Sequence, residues 1–134
     1  MAAPKQPREV LAAAIDPVGL RIGVSELGTT TTLEFYGEWG LAERDGARAA
    51  IEQALERSPE CIVLDLSRVS FIDSTGIHVV VTAAKRCGER NVHMVIIPGP
   101  PQVQRVFEIS QLTKLLPFAS QASGGCRSSG AARP

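Results

Sequence analysis

CIVLDLSRVSFIDSTGIHVVV, residues Cys61 to Val81, holds two hydrophobic rhythms with a cluster of small polar residues between them. Cys61-Ile62-Val63-Leu64 is apolar without alternation and passes into Asp65-Leu66. A short run with no polar face reads as a strand covered on both sides, as in the parallel part of a sheet. After a short connection, Asp73-Ser74-Thr75-Gly76 opens a stretch in which Ile77, Val80, Val81 and Ala84 fall at i, i+3, i+4 and i+7. That spacing is one face of a helix. Asp and Ser just before such a face are N-cap residues, whose side-chain oxygens accept hydrogen bonds from first-turn amides. Lys85, Arg86, Glu89 and Arg90 make the far end polar, and Gly88 is the expected stop. Val92 to Ile97 is a second apolar run and reads as the next strand. Strand, helix and strand of these lengths predict a right-handed parallel crossover.

The neighbouring stretches extend the pattern in both directions. Leu20, Ile22 and Val24 alternate with Arg21, Gly23 and Ser25, as in a half-buried strand. Glu26 to Thr29, with Gly28, is a turn, and Thr30 to Tyr36 is a second strand with Leu33 and Phe35 on one face. Thr29 to Thr32 reads as a solvated edge or turn. Gly37-Glu38-Trp39-Gly40 breaks the strand. From Leu41 to Arg57 the residues Ala47, Ala50, Ile51, Ala54 and Leu55 share a helical face, and Ser58-Pro59 ends it. On the other side, Pro98-Gly99-Pro100-Pro101 turns the chain into a third helix with Val103, Val106 and Phe107 inward. Leu112, Leu115, Leu116 and Phe118 form a last apolar group and a candidate edge strand. The expected fold class is α/β: a single domain with a mixed four- to five-stranded sheet and three to four helices over it. Its bounds are 19–118, between a flexible leader at 1–18 and a disordered, Ser-, Gly-, Ala- and Arg-rich tail at 119–134.

Composition narrows the function. Lys plus Arg equals Asp plus Glu at 14 each, so no net field points to nucleic acid or an anionic membrane surface. No apolar run approaches the roughly 18 residues of a membrane span, and the N-terminus lacks a signal-peptide core. A cytoplasmic protein is expected. Cys61, Cys87 and Cys126 are odd in number and widely spaced, which suggests neither a disulfide framework nor a zinc site. Cys61 reads as a small buried hydrophobe, and redox control through Cys61, Cys87 or Cys126 is a further candidate. The chain carries no phosphate-binding glycine loop, no GxGxxG and no CxxC. His78 and His93 have no acidic or cysteine partner at ligand spacing, and Ser74 is not in a GxSxG elbow. Asp65 and Asp73, at a strand end and a helix start, do not by themselves make a catalyst. No enzyme, metal or cofactor is expected.

Ser74 remains. The carboxyl end of a central strand is where open α/β sheets present their sites. A phosphate there meets the free amides and positive end of a helix, so the fold tolerates it. Its charge of about −1.5 to −2 nonetheless changes the surface sharply.

These residues carry a resemblance. VLDLSRVSFIDSTGIHVV at Val63 to Val80 is similar to the strand, connection and Asp-Ser-Ser/Thr-Gly signature of the STAS-domain anti-sigma factor antagonists (anti-anti-sigma factors). Gly37-Glu38 matches that family's Gly-Glu after its second strand, and Val106 to Leu112 resembles its third helix. The likeness spans about residues 20 to 118. It implies a partner-switching regulator of transcription: the unphosphorylated antagonist binds an anti-sigma factor with serine kinase activity and frees a sigma factor, as in stress responses. The kinase then phosphorylates Ser74, the antagonist lets go, and a phosphatase resets it. The resemblance makes Asp73, Ser74, Thr75, Gly76, Ile77 and Glu38 the partner-binding residues. The chain departs from the family at Gly40, where the family commonly has Asp. The competing expectation is a non-switching STAS module of a transport or stress-sensing complex, in which Ser74 is only a cap.

Overall fold

The structure is a computed structural model and describes residues 8–9 and 19–119. The strands are β1 (Arg8–Glu9), β2 (Leu20–Leu27), β3 (Thr30–Trp39), β4 (Cys61–Ile72) and β5 (His93–Ile97), and the helices α1 (Arg44–Glu56), α2 (Ser74–Glu89) and α3 (Pro101–Ile109). They form one sheet in the order β1-β2-β3-β4-β5. β1–β2 and β2–β3 are antiparallel, while β3–β4 and β4–β5 are parallel, with α1 and α2 as the connections. The mixed α/β sheet expected from the sequence is therefore present. Within the stretch expected as a leader, Arg8–Glu9 pairs with β2; the rest of 1–18, and 120–134, lie outside the described residues.

The hairpin closes through Gly28, at φ +65°, a conformation that favours glycine. β3 is paired on both sides, so the Thr-rich start that reads as an edge is central, and Thr31 is buried. β3 also continues past the expected break. Gly37, at φ +103°, kinks it, and a side chain there would overlap the Gly19 carbonyl.

The alternation of pleated side chains sorts β4 and β5 into two faces. Ile62, Leu64, Met94 and Ile96 pack under the helices with Leu33, Phe35, Ile51, Leu55, Val80, Val103 and Phe107. Cys61, Val63 and Val95 form a smaller cluster with Ile97 and Ala119 on alternate residues. Both faces of β4 are covered at its start, as its unbroken apolar run implies. β4 itself is twelve residues long, twice the expectation. The connection expected between Leu66 and Asp73 is strand. Its register against β3 jumps between Glu34 and Tyr36 and again between Gly37 and Glu38, each jump placing an extra residue in β4. These are bulges. They explain why buried Leu66, Val69 and Ile72 come at intervals of three, a spacing that hides a strand from period-two reading.

Two ends also differ from expectation. α2 passes through Gly88 to Glu89, and Asn91, at φ +57°, turns the chain. After α3, the Ala119 N–H donates to the Ile96 carbonyl at 2.8 Å, and Phe118 makes a single parallel bridge to Ile96 rather than a strand.

Candidate functional site

β3 and β4 end side by side, pairing Glu38 with Phe71 and Trp39 with Ile72. The Asp73 N–H donates to the Trp39 carbonyl at 3.3 Å, and the chain then turns into α2. Asp73 is extended, at φ −114° and ψ −172°, and its Oδ1 accepts from the amides of Thr75 at 2.9 Å and Gly76 at 3.2 Å. Its carbonyl accepts from the Ile77 N–H at 3.0 Å. This is an N-cap, a feature that contributes about 1 kcal/mol.

Two sequence expectations change here. Asp73 alone is the cap; Ser74 is the first helical residue, exposed, with no side-chain hydrogen bond among the described residues. The amides expected to be open to a phosphate are also occupied. One carboxylate oxygen takes two of them and the Asp73 carbonyl takes the third, so Ser74 offers only its own N–H.

Under the first turn lies Trp39, fully buried and stacked on Phe35 with ring centroids 4.4 Å apart. Its indole N–H has no hydrogen-bond partner among the described residues. Gly76 rests on this floor. A Cβ there would stand 2.7 Å from Ile72 Cγ1 and 3.1 Å from Trp39 Cδ1, closer than packed atoms allow. The glycine of the Asp-Ser-Thr-Gly motif is thus set by close packing rather than by backbone conformation.

Of the residues expected on a partner surface, Glu38 and Ser74 are exposed, and Asp73 and Thr75 are half-buried. Gly76 is buried in the first turn of α2, and Ile77 is buried in the core. Two side chains missed by sequence reading join the exposed set: Leu41 and Phe71, 65% and 52% exposed. Phe71 was hidden by the bulges, which turn it outward beside Ile72. Leu41 directly follows Gly40.

Gly40 sits against the cap. A Cβ there would lie 3.3 Å from Asp73 Oδ2 and 3.6 Å from Glu43 Oε1. Its N–H donates to that Glu43 oxygen at 2.9 Å. A longer acidic side chain at this position would bring a further carboxylate beside two already present, and like charges this close repel.

The remaining candidates fall elsewhere. Asp65 does not approach the site chemistry; its Oδ1 accepts from the Ser67 N–H at 2.9 Å and the Ser67 hydroxyl at 2.7 Å, holding the first bulge. His78 is exposed one turn after Ser74, and His93 is exposed at the start of β5. Cys87 is a buried free thiol whose pKa burial pushes up to about 11, which leaves it protonated and unreactive near neutrality. Cys61, contrary to the expectation of no disulfide, is disulfide-bonded. Cys126 lies outside the described residues. No helix among the described residues is long and apolar enough to cross a membrane.

This geometry agrees with what the chain is similar to. Residues 22–123 match the STAS domain family. The anti-sigma F factor antagonist of Paenibacillus polymyxa is 30% identical over 83 residues, which cover 61% of this chain and 71% of that one. The chain belongs to the STAS-domain family of anti-sigma factor antagonists. Solved structures agree in fold. An anti-sigma factor antagonist from Mycobacterium paratuberculosis superposes with a TM-score of 0.70 at 21% identity, covering 77% of this chain and 87% of that one. SpoIIAA, a Bacillus cell fate determinant, superposes in its phosphorylated form with a TM-score of 0.58 at 20% identity, covering 75% of this chain and 92% of that one. Its unphosphorylated form gives 0.63 at 22% identity, covering 75% and 89%.

Proposed function

We propose that this STAS domain is a partner-binding regulator switched at Ser74, and not an enzyme. Unphosphorylated, it binds an anti-sigma factor with serine kinase activity and frees a sigma factor in the cytoplasm. The kinase transfers the γ-phosphoryl group of ATP to the Ser74 hydroxyl, ADP leaves, and the antagonist is released until a phosphatase removes the group. The working unit is the domain at 19–118.

One observation carries this reading: Ser74 is exposed at the first position of α2, and Asp73 has taken over the cap that would otherwise occupy it. The hydroxyl is free to react, and modifying it breaks no bond that holds the helix. That SpoIIAA keeps this fold in both a phosphorylated and an unphosphorylated form supports a domain that bears the group without unfolding. Release follows from charge. A dianion beside Asp73, inside a contact surface made of Glu38, Asp73, Ser74, Thr75, Leu41 and Phe71, is desolvated next to like charge.

The experiment is capture of the cognate kinase on immobilised protein. Ser74→Ala is expected to bind as wild type and to stay bound when ATP is added. Ser74→Glu is expected to bind at least about tenfold more weakly, since each 1.4 kcal/mol of repulsion is a factor of ten. Wild-type affinity for Ser74→Glu would end the switch reading.

A further inference from the structure

We infer that His78 is the counter-charge of a phosphoryl group on Ser74, a positioning residue that holds the modified side chain along the exposed face of α2. The inference rests on the reading of Ser74 as the modified residue. It starts from a shortage of donors. In an open helix start, a phosphate would be held by first-turn amides. Here those of Thr75 and Gly76 bond to Asp73 Oδ1, and that of Ile77 bonds to the Asp73 carbonyl. Only the Ser74 N–H is left at this end, so the other phosphoryl oxygens need donors on side chains.

Helical geometry leaves one charged choice. Residues three and four apart are neighbours, about 5–6 Å between Cβ atoms. The residue three after Ser74 is Ile77, which is buried; the residue four after it is His78, which is exposed. The remaining charged groups around this end include Asp73 at the cap, Glu38 at the end of β3, Glu43 in the turn before α1 and Arg44 and Arg48 on α1; Lys85, Arg86 and Glu89 lie farther along α2, with Arg86 paired to Glu52 and Glu89. β4 and β5 meet α2 through apolar side chains. Arg44 is paired with Asp45 at 3.3 Å. Lys85 is eleven residues from Ser74, roughly 16 Å along the axis. The acids repel a phosphoryl group, and His78 is the cation-forming side chain on its own face within one turn.

The test uses full-length protein carrying phosphoserine at position 74, installed during synthesis so that no kinase is needed. Phosphorus NMR follows the second ionisation of the phosphate, which for a free phosphoserine is centred near about pH 6. A unit positive charge about 6 Å away in water lowers that midpoint by roughly 0.5 pH unit. The wild-type midpoint is expected to lie about that far below that of His78→Gln, and His78→Lys is expected to restore the low value. Equal midpoints in the wild type and His78→Gln would overturn the inference, as would a His78→Lys midpoint no lower than that of His78→Gln. A purely structural role for His78 predicts neither the shift nor its rescue by lysine. The outcome is independent of kinase capture: the switch reading stands or falls on Ser74→Glu binding, and this inference on the phosphorus midpoints.

Discussion

α2 and α3 begin in equivalent places, each at the carboxyl end of a neighbouring parallel strand, yet they begin in different ways. α2 starts with an acid that caps it, a free hydroxyl and a glycine pressed on Trp39. α3 starts at Pro101 after Pro100, with no side-chain cap; nearby, the Gly99 N–H donates to Gln104 Oε1 at 2.9 Å. Proline suits a first turn because it has no N–H to satisfy, but it also brings no group to modify. Gly99 is as confined as Gly76, since a Cβ there would stand 2.7 Å from Val103 Cγ1 and 3.1 Å from the Leu66 carbonyl oxygen. Close packing of a helix start is thus common to both ends. The chemistry that suits a switch is confined to one.

The comparison is broken most forcefully at the glycines. Gly76→Ala gains helix propensity of up to about 1 kcal/mol but forces a methyl against Ile72 and Trp39, an overpacking of roughly 1–3 kcal/mol. A net loss of about 1–2 kcal/mol is expected, read as a lower urea midpoint with an unchanged slope. Gly88, near the other end of the same helix, has nothing within 4 Å of an added Cβ. Gly88→Ala is therefore expected to stabilise by up to about 1 kcal/mol. Opposite signs in one helix would show that the motif glycine answers to its floor; equal signs would remove the packing account.

The cap is the next lever. Asp73→Ala leaves the Thr75 and Gly76 amides to water and is expected to lose about 1 kcal/mol, whereas Asp73→Asn, which keeps an acceptor, loses only a few tenths. Thermal unfolding of the two variants measures the difference. If both melt alike, the Oδ1 hydrogen bonds are not what holds this end, and Ser74 is not relieved of the role by its neighbour.

Much of this arrangement was legible in the residues. The i, i+3, i+4 spacing after Asp73 placed α2, and the apolar run from Cys61 placed the start of β4. What stayed hidden depended on contacts between distant segments. The bulges at 65–71 are visible only against β3, so half of β4 read as a loop and Phe71 escaped notice. The division of labour between Asp73 and Ser74 was ambiguous because both residue types cap helices; only the extended backbone of Asp73 settles it. Burial of Ile77 follows from its helical face, but the confinement of Gly76 required knowing that Trp39 returns beneath it.

The smallest expected effect comes from the far end of α2, where a surface ion pair joins it to α1. Arg86 Nε and Nη2 donate to the two carboxylate oxygens of Glu52, both at 2.8 Å. These bonds hold the Glu52 carboxyl below its ordinary pKa, against the opposing pull of partial burial. A carboxylate whose pKa is lower folded than unfolded stabilises the fold above its unfolded pKa, about 4.3 for Glu, and loses that contribution as pH falls through the folded value. Both side chains are more than a third exposed, so the pair is screened and its contribution stays below that of the cap. Glu52→Gln is expected to lower the melting temperature slightly at pH 7. The gap from wild type should narrow as the pH is taken below about 4, and narrow also in high salt. A gap that persists unchanged at low pH would assign the loss to packing between α1 and α2 rather than to charge.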